Sequence, residues 1–190
     1  MLVLCCSLLR YHIYCSKMIT KEVSLFGGAA KCLVPSDWVD ASTFRDVPDH
    51  QEVYMHPTAK GEQSVIIEIL EYDETLADTE AGEYYFRDLG NADDASSTEI
   101  FRTSCERKDV QVFEFVAKRI DTDGIHVKAK LGSSSVSSPV VVLMSLFRIP
   151  QLNSDILITC HALADNKIEI QEVCHLVSDS LCFLDRSLFI

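Results

Sequence analysis

The chain has 190 residues, 47% of them apolar, which suits one domain with a sizeable core and excludes wholesale disorder. Its 29 acidic and 17 basic side chains give a formal net charge of −12, a poor basis for gripping nucleic-acid phosphates or an anionic membrane surface. The excess is concentrated. Between Asp46 and Glu99 stand 15 carboxylates against two bases, Lys60 and Arg87, so this stretch carries about −13 and the rest of the chain about +1. Such a stretch is either a solvated face that keeps the protein soluble or a docking surface whose field steers a basic partner.

In chain order, residues 1–17 (MLVLCCSLLRYHIYCSK) hold an apolar run too short to span a bilayer and interrupted by Arg10. A secretory leader requires a basic segment before its apolar run, and here nothing basic precedes Leu2. The expectation is a dispensable or disordered extension to one α+β domain spanning 18–190, with a cleaved targeting peptide as the alternative. Gly27-Gly28 predicts a turn into a short apolar stretch, 29–34. Pro35 punctuates it, and Ser36 or Asp37 is placed to cap a short helix through Trp38 and Val39. Residues 53–56 and 64–72 read as strands, separated by a turn around Pro57 and Gly61; the β-branched run at Val65, Ile66 and Ile67 predicts both faces partly covered.

Residues 75–89 read as a helix, weakened by Gly82. After a loop at 91–97 come three strands, 98–105, 110–120 and 125–131. The last alternates Ile125, Val127, Ala129 and Leu131 against His126, Lys128 and Lys130. Asp121-Thr122-Asp123-Gly124 reads as the hairpin turn that joins it to its predecessor. A Ser-rich surface loop occupies 132–139, and 140–149 with 155–160 predicts an antiparallel pair around Pro150. Ile170, Val173, Cys174, Val177, Leu181, Leu184 and Leu188 recur at helical spacing and predict a closing helix. Strands in hairpin succession with two longer helices indicate an α+β fold, an antiparallel sheet with helices on its faces.

Tests for chemistry mostly fail. The eight cysteines form no C-x-x-C pair, which removes zinc-ribbon and thioredoxin readings, and a chain with this core needs no disulfide staples. Most are expected to be reduced, small core hydrophobes. Walker spacing, G-x-G-x-x-G, G-x-S-x-G and H-E-x-x-H are absent. Cys160-His161 and Cys174-His175 are adjacent pairs whose side chains diverge on a strand or a helix, so neither makes a nucleophile–base dyad. The six histidines show no i, i+4 pairing, so neither a metal nor a cofactor is expected.

The exception is Asp46-Val47-Pro48-Asp49-His50-Gln51-Glu52-Val53-Tyr54. Pro48 fixes its own φ and biases Val47 away from helix, giving a rigid loop that feeds a strand. Asp49 and Glu52 there are compatible with three roles: an acid–base pair, an acidic clamp for a partner, or a capping box with Asp49 as N-cap and Glu52 at N3. No other residue set completes a catalytic site, which places catalysis last.

Three stretches, in this order, give a resemblance. They are Leu25-Phe26-Gly27-Gly28-Ala29; Val47-Pro48-Asp49-His50-Gln51-Glu52-Val53-Tyr54; and Leu146-Phe147-Arg148-Ile149-Pro150-Gln151 followed by Asp155-Ile156-Leu157-Ile158-Thr159. Together they resemble the Ran guanine nucleotide release factor family, the Mog-type Ran-binding proteins, over about 18–161 and more weakly in the closing helix. The resemblance implies a twisted antiparallel β-sheet flanked by α-helices, similar to the photosystem II extrinsic oxygen-evolving proteins. It implies binding to Ran, the small GTPase of nucleocytoplasmic transport, in its GTP or nucleotide-poor form. Release of the bound guanine nucleotide would follow without covalent catalysis. It further implies a monomer acting in nucleus and cytoplasm. The family's functional acidic pair matches Asp49 and Glu52, and Asp46 just upstream extends the patch. Residues 1–17 and 132–139 have no family counterpart, and His161 follows Cys160 where members often carry Asn. The alternative is an acidic adaptor of the same fold with another basic partner.

Overall fold

The structure is a computed structural model that describes residues 18–57, 63–92, 95–105, 109–128 and 139–189. The N-terminal extension, Gly61 and nearly all of the Ser-rich loop therefore lie outside the described residues. The chain opens with a hairpin, β1 (Thr20–Leu25) and β2 (Ala30–Pro35), and continues through β3 (Val39–Asp40), β4 (Gln51–Met55) and β5 (Ser64–Glu71). Helix α1 (Asp78–Ala92) follows, then β6 (Ala95–Ser104), β7 (Val110–Val112), β8 (Phe115–Lys128), β9 (Val140–Ile149) and β10 (Ser154–Leu163). Helix α2 (Lys167–Ser180) and β11 (Cys182–Phe183) close the chain.

Among the described residues the large sheet runs β3-β4-β5-β10-β9-β8-β6, with β7 paired to β8, and a three-stranded sheet runs β1-β2-β11. Every pairing is antiparallel. The middle of the large sheet is the β9–β10 hairpin around Pro150, as its sequence predicts. Both strands are buried almost throughout, because both faces of the sheet are covered. On one face lie α2 and the small sheet, packing Ile170, Val173 and Val177 with Leu25, Val34, Ile67, Phe147 and Ile158. On the other, α1 brings Ala81, Tyr85 and Phe86 against Ile120, Met144, Leu146 and Leu157. This three-layer arrangement is the expected α+β architecture.

Several readings of the sequence need correction. β1 is not foreseen, since Lys21, Glu22 and Ser24 hide its weak alternation. Asp121 to Gly124 is not a turn but the middle of the 14-residue β8, in register with Ser145 to Val142 of β9. The turn lies instead at Phe113-Glu114, where Phe113 has φ +54. The polar residues mislead because they serve the interior. Asp121 accepts from Arg119 Nε (2.9 Å) and from Ser145 Oγ (2.6 Å). Gly124 serves close approach, since a Cβ there would lie 2.2 Å from the Glu99 carbonyl oxygen and 2.7 Å from the Phe86 ring. His126 belongs by alternation to the wetter side of its strand but is fully buried, edge-on to Phe86 with Nε2 3.2 Å from the Phe86 oxygen.

Both helices also end elsewhere than expected. α1 runs through Asn91 and Ala92, so the loop expected at 91–97 is largely helix and strand. α2 stops at Ser180, short of Leu184 and Leu188. Ser180 Oγ bonds back to the Leu176 oxygen (2.6 Å) and accepts the Leu33 N–H (2.8 Å), tying the helix end to β2. The chain then folds back, and Phe189 meets Phe113 and Phe183.

A guanidinium is buried at the heart of these layers. Arg148 of β9 is 1% exposed. It donates to the carbonyls of Leu76 (2.6 Å) and Asp73 (2.7 Å), to Asp78 Oδ1 (3.1 Å) and to Asp155 Oδ1 (3.5 Å), and stacks over Tyr72. Tyr85 of α1 donates to the other Asp155 oxygen (3.1 Å). Arg148→Met strands the buried Asp155 carboxylate and frees the start of α1, so it is expected to destabilise the fold by about 3–5 kcal/mol, read by urea denaturation. Burial pushes the Asp155 carboxyl from its ordinary 3.8 up to about 6, against the pull of Arg148. Between those values the folded chain holds a proton that the unfolded chain has released. Asp155 therefore contributes stability that is complete at low pH and lost as pH rises through about 6. Relative to Asp155→Asn, the wild type should lose on the order of 2–3 kcal/mol between about pH 4 and pH 7 in the same assay.

Candidate functional site

The acidic loop is built from its two ends. At its start Trp38 is buried, with its ring edge-on to His56. No helix forms through Trp38 and Val39 as expected from Ser36 or Asp37. Instead Val39 and Asp40 pair with Met55 and Tyr54, placing β3 at the sheet edge. The capping residue is Asp40, whose Oδ1 accepts the Ser42 N–H (2.8 Å) above the 3-10 turn Ala41–Thr43. The chain then exposes Phe44, Arg45 and Asp46, and half-buries Val47.

At its far end the loop closes on a turn. The Pro48 oxygen accepts the Gln51 N–H (2.9 Å), with Asp49 and His50 at the apex. β4 starts at Gln51 in register with β5, Gln51 opposite Glu68 and Glu52 opposite Ile67. The turn is pinned from behind. The His50 oxygen accepts the Ile69 N–H (3.0 Å), Gln51 Nε2 donates to Glu68 Oε1 (2.8 Å), and His50 Nε2 lies 3.3 Å from the same oxygen. No helical turn follows Asp49, so the capping-box reading of Asp49 and Glu52 is overturned.

The two acidic residues occupy different surroundings. Asp49 is exposed at the apex of the turn, and Asp46 is exposed in the segment before it. Glu52 is half-buried and turned toward the small sheet, where its Oε1 accepts the Phe26 N–H. Burial raises the Glu52 carboxyl above the usual range; the Phe26 N–H pulls it back in part, and the nearby Asp40 charge adds to the rise. Its partner is an unusual turn. Phe26, Gly27 and Gly28 carry φ of +50, +65 and +101 in succession, a region that glycine tolerates and phenylalanine rarely enters.

Sequence reasoning misses two members of this neighbourhood. Phe44 is 59% exposed two residues before Asp46, an aromatic of the kind that anchors interfaces. Its signal is legible, since it stands alone among Ser42, Thr43, Arg45 and Asp46. Phe26 is visible as part of a turn, but nothing local ties it to a carboxylate 26 residues away. Elsewhere, Cys160 and Cys174 are buried, and the Cys174 thiol lies 4.0 Å from Ser145 Oγ. Among the described residues no cluster of three or more His, Cys, Asp or Glu side chains is arranged to hold a metal, and no helix is long and apolar enough to cross a membrane.

A family profile described as Ran-interacting Mog1 protein matches residues 23–163, which include the loop, its turn and the Arg148 hairpin. The chain belongs to the Mog1 family. The Ran guanine nucleotide release factor of Danio rerio is 33% identical over 138 residues, 71% of this chain and 74% of that protein. The nuclear import protein MOG1 of Saccharomyces cerevisiae is 28% identical over 190 residues, 90% of this chain and 83% of that protein. The crystal structure of the S. cerevisiae Ran-binding protein Mog1p superposes with a TM-score of 0.71 at 24% identity, over 92% of this chain and 100% of that one. The solution structure of cyanobacterial PsbP from Synechocystis superposes with a TM-score of 0.53 at 11% identity, over 87% of this chain and 92% of that one. The chain thus shares its fold with this PsbP structure, as the resemblance implied. Because Asp40 caps the turn that launches the Mog1 acidic loop, Asp40→Ala should lower stability by about 1 kcal/mol in urea denaturation.

Proposed function

We propose that this chain binds Ran through the loop carrying Asp46, Asp49 and Glu52 and promotes release of its bound guanine nucleotide, in support of nucleocytoplasmic protein transport. The single observation that carries this reading is the exposed Asp49 on a turn pinned by Pro48, Gln51 and Glu68, in a chain whose family profile is named for Ran. The relative from Danio rerio is named a Ran guanine nucleotide release factor, and those from two yeasts are named nuclear import proteins. Such a role places the protein in nucleus and cytoplasm, as a monomer, with residues 18–190 as the Ran-binding unit.

The physical logic is linkage. A GTPase grips its nucleotide through phosphate contacts and Mg²⁺. A protein that binds the nucleotide-poor form more tightly than the loaded form weakens nucleotide affinity by the same factor. No covalent bond is made or broken, so no catalytic residue is needed. An exposed carboxylate on a pinned turn suits a basic side chain of Ran, and the loop loses little conformational entropy on docking. The acidic field around it raises the encounter rate.

The test is release of a fluorescent guanine nucleotide from Ran. The wild type is expected to accelerate it, and Asp49→Lys combined with Glu52→Lys to abolish both acceleration and binding while circular dichroism shows the fold intact. A folded double variant that still accelerates release overturns the assignment of the site. Binding without acceleration leaves a Ran adaptor, and no binding by the wild type leaves another basic partner for the acidic loop.

A further inference from the structure

The two acidic residues of the motif form one patch in sequence, yet only Asp49 faces water freely. Glu52 sits behind the loop, with Oε1 engaged by the Phe26 N–H. The turn so held is exposed at Gly27 and Gly28. A Cβ at Gly27 would meet nothing within 4 Å, and one at Gly28 would meet only Ser24 Oγ at 3.7 Å. Packing therefore does not demand glycine at either position; the left-handed backbone does. Phe26, which enters that region at φ +50 with a bulky side chain, is fixed from both directions. Its N–H goes to Glu52 and its oxygen accepts the Ala29 N–H (3.3 Å). Downstream, the Ala29 oxygen accepts the N–H groups of Leu184 (2.8 Å) and Asp185 (3.1 Å), so the C-terminal segment braces the same turn.

We propose that Glu52 is a positioning residue: its carboxylate holds the Phe26–Gly28 turn beside the Asp49 loop, and Ran contacts the exposed backbone of that turn rather than the Glu52 charge. This rests on the reading that Ran docks at the acidic loop. Asp49 then supplies the charged contact and Glu52 the shape of the neighbouring surface. The proposal separates two properties that any charge reversal removes together, the negative charge and the hydrogen-bond acceptor.

The experiment uses the full chain and nucleotide-poor Ran, with affinity measured by calorimetry at several NaCl concentrations. Glu52→Gln keeps an acceptor for the Phe26 N–H without the charge; it should bind within about threefold of wild type, with an unchanged salt slope. Glu52→Ala removes the acceptor and should weaken binding about tenfold or more. Gly28→Ala leaves every carboxylate in place but strains the turn, and should weaken binding to a similar extent. Asp49→Asn should weaken binding and flatten the salt dependence. Amide exchange at Phe26 should stay slow in the wild type and Glu52→Gln and become fast in Glu52→Ala. Glu52→Gln binding as poorly as Glu52→Ala overturns the proposal, as does Gly28→Ala binding like wild type. Gly28→Ala decides the question even where Glu52→Ala fails to fold. Absence of Ran binding by the wild type sinks the partner reading and the contact with it, while Phe26 exchange still reports whether Glu52 holds the turn.

Discussion

Arg148 carries a permanent charge into a site 1% exposed to water, and the arrangement of the layers follows from how that charge is satisfied. The β9–β10 hairpin places it opposite Asp155. A guanidinium offers five donors in a planar fork, and here they reach two backbone oxygens and two carboxylates from different parts of the chain. Three of those four partners belong to the segment that leaves β5 and enters α1. The segment must cross the sheet in one direction, and α1 must start where Asp78 meets both Arg148 and Lys118. Asp78 in the first turn of α1 also faces the positive end of the helix dipole. Apolar packing alone would let a helix slide on a sheet; a buried cation with directional partners fixes its position.

The acidic loop depends on that frame at one remove. β10 pairs with β5 on its other edge, β5 sets the register of β4, and β4 sets where Glu52 points. Glu52 then reaches back to the β1–β2 turn in the second sheet. Two of the three motif stretches, the one with Gly27-Gly28 and the one with Asp49 and Glu52, are thereby joined by a hydrogen bond. The third stretch contains Arg148 and Asp155. Motifs that lie far apart in the chain are thus two physical devices, one fixing the core and one shaping a surface.

Patterns of local origin are legible in the sequence. The β9 and β10 runs, the helical stripe through Val177 and the rigid Pro48 loop can all be read, because burial on two faces, helical spacing and a fixed φ each leave a mark within a few residues. What fails is the meaning of polar residues in the interior. Asp121, Thr122 and Asp123 look like a turn because sequence does not show that Ser145 lies across the strand from Asp121, or that Arg119 turns its guanidinium to the same carboxylate. His126 looks solvated because the backbone oxygen that it faces comes from a helix 40 residues earlier. The same blindness to distant partners hides the asymmetry of Asp49 and Glu52, which share a motif and differ in what lies behind them.

That asymmetry changes the meaning of the acidic stretch. A solvated face and a docking surface are not its only uses, because several of its carboxylates are committed to holding the fold. Glu68 accepts from Gln51, Glu52 from Phe26, and Asp78 from Arg148 and Lys118. Asp73 accepts from Thr75 N–H and Oγ1, which lowers its carboxyl pKa. Pinning a loop with carboxylates leaves its exposed acids surrounded by further negative charge, so the scaffold and the attractive field have a common source. Salt screens that field over about 8–10 Å at ordinary ionic strength but leaves short, partly buried hydrogen bonds largely untouched. For the proposed docking of Ran, added salt should therefore slow the approach while the shape met on docking persists, which is the behaviour expected where charge governs encounter and a rigid backbone governs fit.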